Sequence, residues 1–139
     1  HMAMISGAIG NGGVMMEPRL LLSATSAQGR QRLVQEAKVY TRCCSEFVAT
    51  QVKEAMIECV ASGTGKRAQL RKYTVAGKTG SAEISNDKSV RTHAWFTGFV
   101  DDPEHPLAIA VVLEKGGSGG TVAAPIAQRI LQRAIKLGY

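Results

Sequence analysis

Apolar residues in the last half of the chain come in short runs divided by polar, turn-forming segments. Residues 73–84, 94–100 and 107–114 each read as a strand, because they are rich in β-branched, aromatic and small apolar side chains. The segment between the first two is polar, and Asp101-Asp102-Pro103-Glu104-His105-Pro106 between the second and third is built of strand breakers. Connections this short join antiparallel neighbours. Ala108-Ile109-Ala110-Val111-Val112-Leu113 is apolar at every step, the pattern of a strand covered on both faces, which predicts that it is the central one.

Helical spacing marks other segments. Ser45 can cap a helix whose Val48, Val52, Ala55, Met56, Cys59 and Val60 form an inward stripe and which stops at Ser62-Gly63. Residues 122–137 predict a terminal helix with Pro125 in its first turn and Ile126, Ile130, Leu131, Ala134 and Ile135 facing inward. Residues 3–11 read as a helix stopped by Gly12-Gly13, too short to stand alone, so its apolar stripe needs a partner. Residues 14–22 are extended, with Pro18 keeping them out of the middle of a sheet. Residues 23–29 read as a polar loop and residues 33–40 as a second extended piece. The fold class predicted is α+β: an antiparallel sheet of three main strands with helices packed on one face.

Bulk composition narrows the function classes. With 139 residues, 45% of them hydrophobic, the chain suits one domain with a modest core. No run reaches the roughly 18 consecutive apolar residues of a membrane span. His1-Met2 reads as a cloning scar, leaving residues 3–139 as the domain. A net charge of +6 attracts polyanions, yet the basic residues are dispersed and only 5% of residues are aromatic. A solvated face explains that charge better than a specific nucleic-acid partner does. Cys43, Cys44 and Cys59 make no disulfide framework, and neither they nor the histidines show metal-ligand spacing. No metal or cofactor is implied, and the thiols are expected to be buried or half-buried, with Cys59 on the helix stripe.

Candidate chemistry concentrates in Val75-Ala76-Gly77-Lys78-Thr79-Gly80-Ser81-Ala82-Glu83. Strand alternation sends the Thr79 and Ser81 hydroxyls to one face and Lys78 to the other, and Gly80 lets a ligand backbone approach closely. If this strand lies at a sheet edge, its unpaired N–H and C=O groups can meet an extended peptide. Gly63-Thr64-Gly65-Lys66 fails as a phosphate loop, since Val60 and Arg67 stand where Gly and Ser or Thr are required, and reads as a helix-to-strand turn. His93 could be a general base but has no serine or carboxylate fixed beside it, so it is expected to serve as a strand-entry residue. Trp95, Phe96 and Phe99 are expected to pack the sheet against helices, and Glu83 to form an ion pair.

Lys78-Thr79-Gly80 followed by Ser81, with Ala61-Ser62-Gly63-Thr64-Gly65-Lys66 before it and His93-Ala94-Trp95-Phe96-Thr97-Gly98-Phe99 after it, resembles the C-terminal half of a class B penicillin-binding transpeptidase domain. The opening residues 4–20 and the closing 120–127 resemble the same family in the same order. That resemblance implies acyl transfer through a serine ester that cross-links peptidoglycan. Thr79 and Ser81 would bind the terminal carboxylate of a stem peptide or β-lactam, the Ser81 N–H would be an oxyanion donor, and Lys78 would supply positive potential. Ser85-Asn86-Asp87-Lys88 matches S-x-x-K literally but sits in a hairpin loop after the strand, whereas the family places the nucleophile upstream; no S-x-N triplet precedes Lys78. The implied partner is therefore an N-terminal half carrying the nucleophile, and the chain alone is expected to be inactive. The resemblance also implies a membrane-anchored parent with this domain extracytoplasmic and the piece itself soluble, and an uncovered apolar face prone to self-association. Two other readings are a noncatalytic β-lactam or peptide sensor and a basic polyanion binder.

Overall fold

The computed structural model describes residues 1–21 and 23–139; the expected extended segment 14–22 thus ends on a residue outside those described. The element order is α1 (Met2–Gly10), β1 (Val14–Met16), β2 (Ser23–Thr25), β3 (Gln31–Val34), β4 (Val39–Arg42), α2 (Glu46–Ala61), β5 (Val75–Ala82), β6 (His93–Val100), β7 (Ala108–Leu113) and α3 (Ala124–Lys136). A 3-10 turn at Lys66–Ala68 precedes β5, and a π turn at Gly119–Ala123 leads into α3.

The fold is α+β with a three-stranded antiparallel sheet, as the sequence predicts, in the order β5-β6-β7. The central strand is β6, not β7. An apolar run reports what covers a strand's faces, whereas centrality depends on backbone pairing. Ile109, Val111 and Leu113 belong to the core or pack against it, and Val112 on the opposite face is 48% exposed.

The helices divide between the two faces rather than gathering on one. Ala94, Phe96, Val100 and Ile109 meet Ala127 and Leu131 of α3 in the main core. On the other face Ser6 of α1 hydrogen-bonds Thr97, and Ile9 packs near Phe99. Each β6 face thus has its own helical cover, α3 on one and α1 with α2 on the other, because large apolar residues alternate with Thr97 and Phe99 along one strand.

Ser45 caps α2 as expected, its hydroxyl accepting from the Val48 N–H at 3.3 Å. The predicted stripe holds in the second half of the helix, at Met56, Cys59 and Val60, and fails in the first half. Ala49, Met56 and Val60 are buried, with Met56 against Ala76 and Phe99, while Val48 and Val52 face outward. Lys53 shares the inward side and pairs with Asp101 at 3.1 Å. A partly buried ammonium is tolerated there because it finds its carboxylate. In α3 the inward positions are Ala124, Ala127 and Leu131, and Ile130 is exposed.

The stretch read as two extended pieces with a polar loop between them forms two small ribbons. β1 pairs with β4, and β2 with β3, each antiparallel with a register irregularity. The expected loop 23–29 begins as a strand, and residues 33–40 are split between two strands. Polar side chains in β2 and β3 obscured this, since both ribbons stand largely exposed and need no alternating core face.

Candidate functional site

β5 enters from the core. Val75, Ala76 and Gly77 are buried, and the strand emerges at Lys78, which is exposed. Register pairs Thr79 with Phe96 and Ser81 with Ala94, so the two hydroxyls share the α3 face, while Lys78 and Gly80 pair with Thr97 and Trp95 on the other. The alternation read from the sequence is the one observed. Among the described residues β5 has a strand on one side alone, so the Lys78–Ser81 stretch lies at an open sheet edge.

Two other segments converge on these hydroxyls. The turn after α2 brings Thr64 Oγ1 to 2.6 Å from Thr79 Oγ1, with Cys59 Sγ 3.6 Å behind Thr64. The glycine-rich segment after β7 crosses the strand end, where the Gly119 N–H donates to Ser81 Oγ at 3.4 Å. A Cβ on Gly119 would stand 2.2 Å from the Trp95 carbonyl oxygen and 2.4 Å from that of Gly80, so no side chain fits in this crossing. The Arg67 guanidinium donates to the Thr121 carbonyl at 3.3 Å and ties the π turn to the 3-10 turn.

A groove of about 470 Å³ results, lined by Thr64, Lys66, Arg67, Thr79, Gly80, Ser81, Ser118 and Thr121 among others. Its lining has hydroxyls and two cationic side chains and no carboxylate. That is a surface suited to an anionic group, since hydroxyls donate to it and the cations set a positive potential. A larger groove of about 830 Å³ runs beside α1, lined by Met4, Ala8, Phe99 and Leu107 among others, without such a cluster.

Lys78, Thr79, Gly80 and Ser81 therefore stand together at the edge, while Thr64, Arg67 and Ser118 were missed in the sequence. The available signal was the threonine held between glycines at a helix-to-strand turn. The glycine-rich segment 116–120 forms one wall of the groove. Lys78 Nζ donates to the Thr79 carbonyl at 2.9 Å, and among the described residues neither Ser81 nor Thr79 is hydrogen-bonded to a general base.

The literal S-x-x-K lies apart from this groove. Ser85 Oγ accepts from the Asp87 N–H at 3.1 Å, and Lys88 pairs with Glu83 at 3.1 Å in an exposed loop. Asp87 is held below the ordinary carboxylate range, first by the Ser89 backbone N–H and then by its hydroxyl. His93 opens β6, and its Nδ1 accepts from the Lys115 N–H at 2.9 Å, so it anchors the turn after β7. Phe96 and Phe99 are buried on opposite faces of the sheet, while Trp95 is partly exposed. Cys43 is exposed, contrary to expectation, and Cys44 and Cys59 are half-buried; all are free thiols. Among the described residues no group of three or more His, Cys, Asp or Glu side chains could hold a metal ion, and no helix is long and apolar enough to cross a membrane.

The Lys78-Thr79-Gly80 stretch of this edge strand, backed by α3 and faced by a cationic turn, matches the K-T-G motif of serine β-lactamases and penicillin-binding proteins. The chain belongs to the penicillin binding protein transpeptidase domain family, whose profile matches residues 1–132. It is 28% identical to the peptidoglycan D,D-transpeptidase PbpA of Mycolicibacterium smegmatis over 98% of this chain and 29% of that one. It is 30% identical to stage V sporulation protein D of Bacillus subtilis over 97% of this chain and 22% of that one. Among solved structures, the D,D-transpeptidase domain of a peptidoglycan glycosyltransferase from Eggerthella lenta superposes with a TM-score of 0.86 at 31% identity, over 97% of this chain and 31% of that one. The ceftriaxone acyl-enzyme complex of penicillin-binding protein A from M. tuberculosis gives 0.87 at 28% identity, over 96% and 31%. The chain thus spans under a third of the length of these relatives.

Proposed function

We propose that these 139 residues form the carboxylate-binding wall of a peptidoglycan D,D-transpeptidase. The observation that carries this reading is the placement of the Thr79 and Ser81 hydroxyls on one face of an exposed edge strand, beside Lys66 and Arg67. The terminal carboxylate of a stem peptide, or that of a β-lactam, accepts from both hydroxyls. The Ser81 N–H is a donor for the developing oxyanion, and Lys78 adds positive potential and orients a relay serine. Gly80 leaves room for the ligand backbone. The nucleophile and the S-x-N relay come from other parts of the protein, which stands as a membrane-anchored enzyme with this domain outside the cytoplasm. The relatives' greater length supports that division.

Because catalytic members act as a unit, the chain without its nucleophile turns over no substrate, although carboxylate binding survives in part. Two measurements test this. Labelled penicillin should leave no denaturation-resistant adduct on the chain; an adduct, above all one mapped to Ser85, overturns the assignment. Titration with an acetylated D-alanyl-D-alanine peptide should shift the amide signals of residues 78–81, and a titration that moves none of them removes the binding role.

A further inference from the structure

We propose that Thr64 is a positioning residue that holds the Thr79 hydroxyl in its ligand-facing rotamer, and that Cys59, Thr64 and Thr79 form a donor chain running toward the bound anion. This rests on the carboxylate reading above for its ligand, though not for the contact itself. Thr64 Oγ1 and Thr79 Oγ1 are 2.6 Å apart across 15 positions of sequence, and either oxygen could hold the shared proton. An anion accepts only. For Thr79 to donate its single proton to a carboxylate, the proton between the two threonines must come from Thr64. Thr64 oxygen then has a free lone pair, and the Cys59 thiol at 3.6 Å is placed to donate to it. Aligned in this sense, each donor polarises the next, and the hydroxyl that meets the ligand is strengthened.

The turn is held in place independently of the ligand. A Cβ on Gly120 would stand 2.5 Å from the Thr64 carbonyl oxygen, so the glycine segment seats directly on this turn. Gln69 Nε2 donates to the Val60 and Ala61 carbonyls at 3.0 and 2.8 Å and closes the end of α2 from below. Thr79 therefore receives its partner from a fixed turn rather than from a mobile loop.

The test uses the chain itself, comparing wild type with Thr64→Val, Thr64→Ser and Cys59→Ala. Three-bond couplings to the Thr79 methyl carbon report its χ1. Wild type should show one rotamer, Thr64→Val an averaged one with sheet signals unmoved, and Thr64→Ser the wild-type value again. Affinity for the acetylated D-alanyl-D-alanine peptide should fall about five-fold in Thr64→Val, the worth of one ordinary hydrogen bond, recover in Thr64→Ser and fall less in Cys59→Ala. A Thr79 coupling unchanged in Thr64→Val, or Thr64→Ser behaving like Thr64→Val, overturns the proposal. If wild type binds no peptide while the Thr79 rotamer still loosens in Thr64→Val, the positioning role stands and the carboxylate reading is what fails.

Discussion

The ring of Phe96 fills the space that a side chain at Gly77 would need: a Cβ there would stand 2.3 Å from the ring's Cζ. Phe96 is wholly buried between the sheet and α3 and is the register partner of Thr79. The same ring therefore packs the core and sets the height at which the Lys78–Ser81 edge leaves it.

Gly77→Ala should consequently destabilise the chain by about 1–3 kcal/mol, the usual cost of overpacking a filled core. Urea unfolding measures the loss. An unchanged midpoint would mean that β5 can move away from Phe96 without penalty.

Gly119→Ala should act on the site more than on the core. Its methyl group meets carbonyl oxygens of two paired strands, which cannot yield separately, so the crossing segment must lift off Ser81. The amide signals of Ser81 and Thr64 should shift, and peptide binding should weaken, with Phe96 and α3 signals retained. Wild-type shifts at Ser81 would refute the close crossing.

The Lys53–Asp101 pair links α2 to the end of β6, with side chains 29% and 32% exposed. Such a half-open pair is worth little, so Lys53→Ala should lose under about 1 kcal/mol, and less at high salt. A loss of several kcal/mol would show that Asp101 is far more desolvated than its exposure suggests.

Asp87 gives the loop 85–92 a pH dependence of known sign. Its carboxyl is lowered in the folded loop, so the ordering it provides is present above the ordinary carboxylate range and lost as pH falls through the lowered value. Ser89→Ala removes the hydroxyl but keeps the backbone N–H, the larger cause, so the titration midpoint should return only part of the way. A full return would assign the effect to the hydroxyl.

Phe47, Val48 and Val52 leave an apolar stripe on the outer side of α2, with Phe47 74% exposed. We expect concentration-dependent self-association through it, reduced by the double substitution Phe47→Glu and Val52→Glu. Sedimentation showing a monomer at high concentration in the unsubstituted chain would count against this.

Local physics was enough for much of the chain. The Ser45 cap needs only three following residues, and the Thr79–Ser81 alternation only the two-residue period of a strand, so both could be read from neighbours in sequence. That β5 lies at the sheet edge was left conditional by its residues, and strand pairing decided it. Which residue of the first half of α2 turned inward was not legible, because Val48 and Ala49 are adjacent on the same helix and only the position of β5 and Asp101 selects between them. The central place of β6 was hidden for the same reason: backbone pairing leaves no mark on side-chain pattern. The Thr64–Thr79 contact and the Gly119 crossing join positions far apart in the chain, and tertiary packing alone brought them into hydrogen-bonding distance.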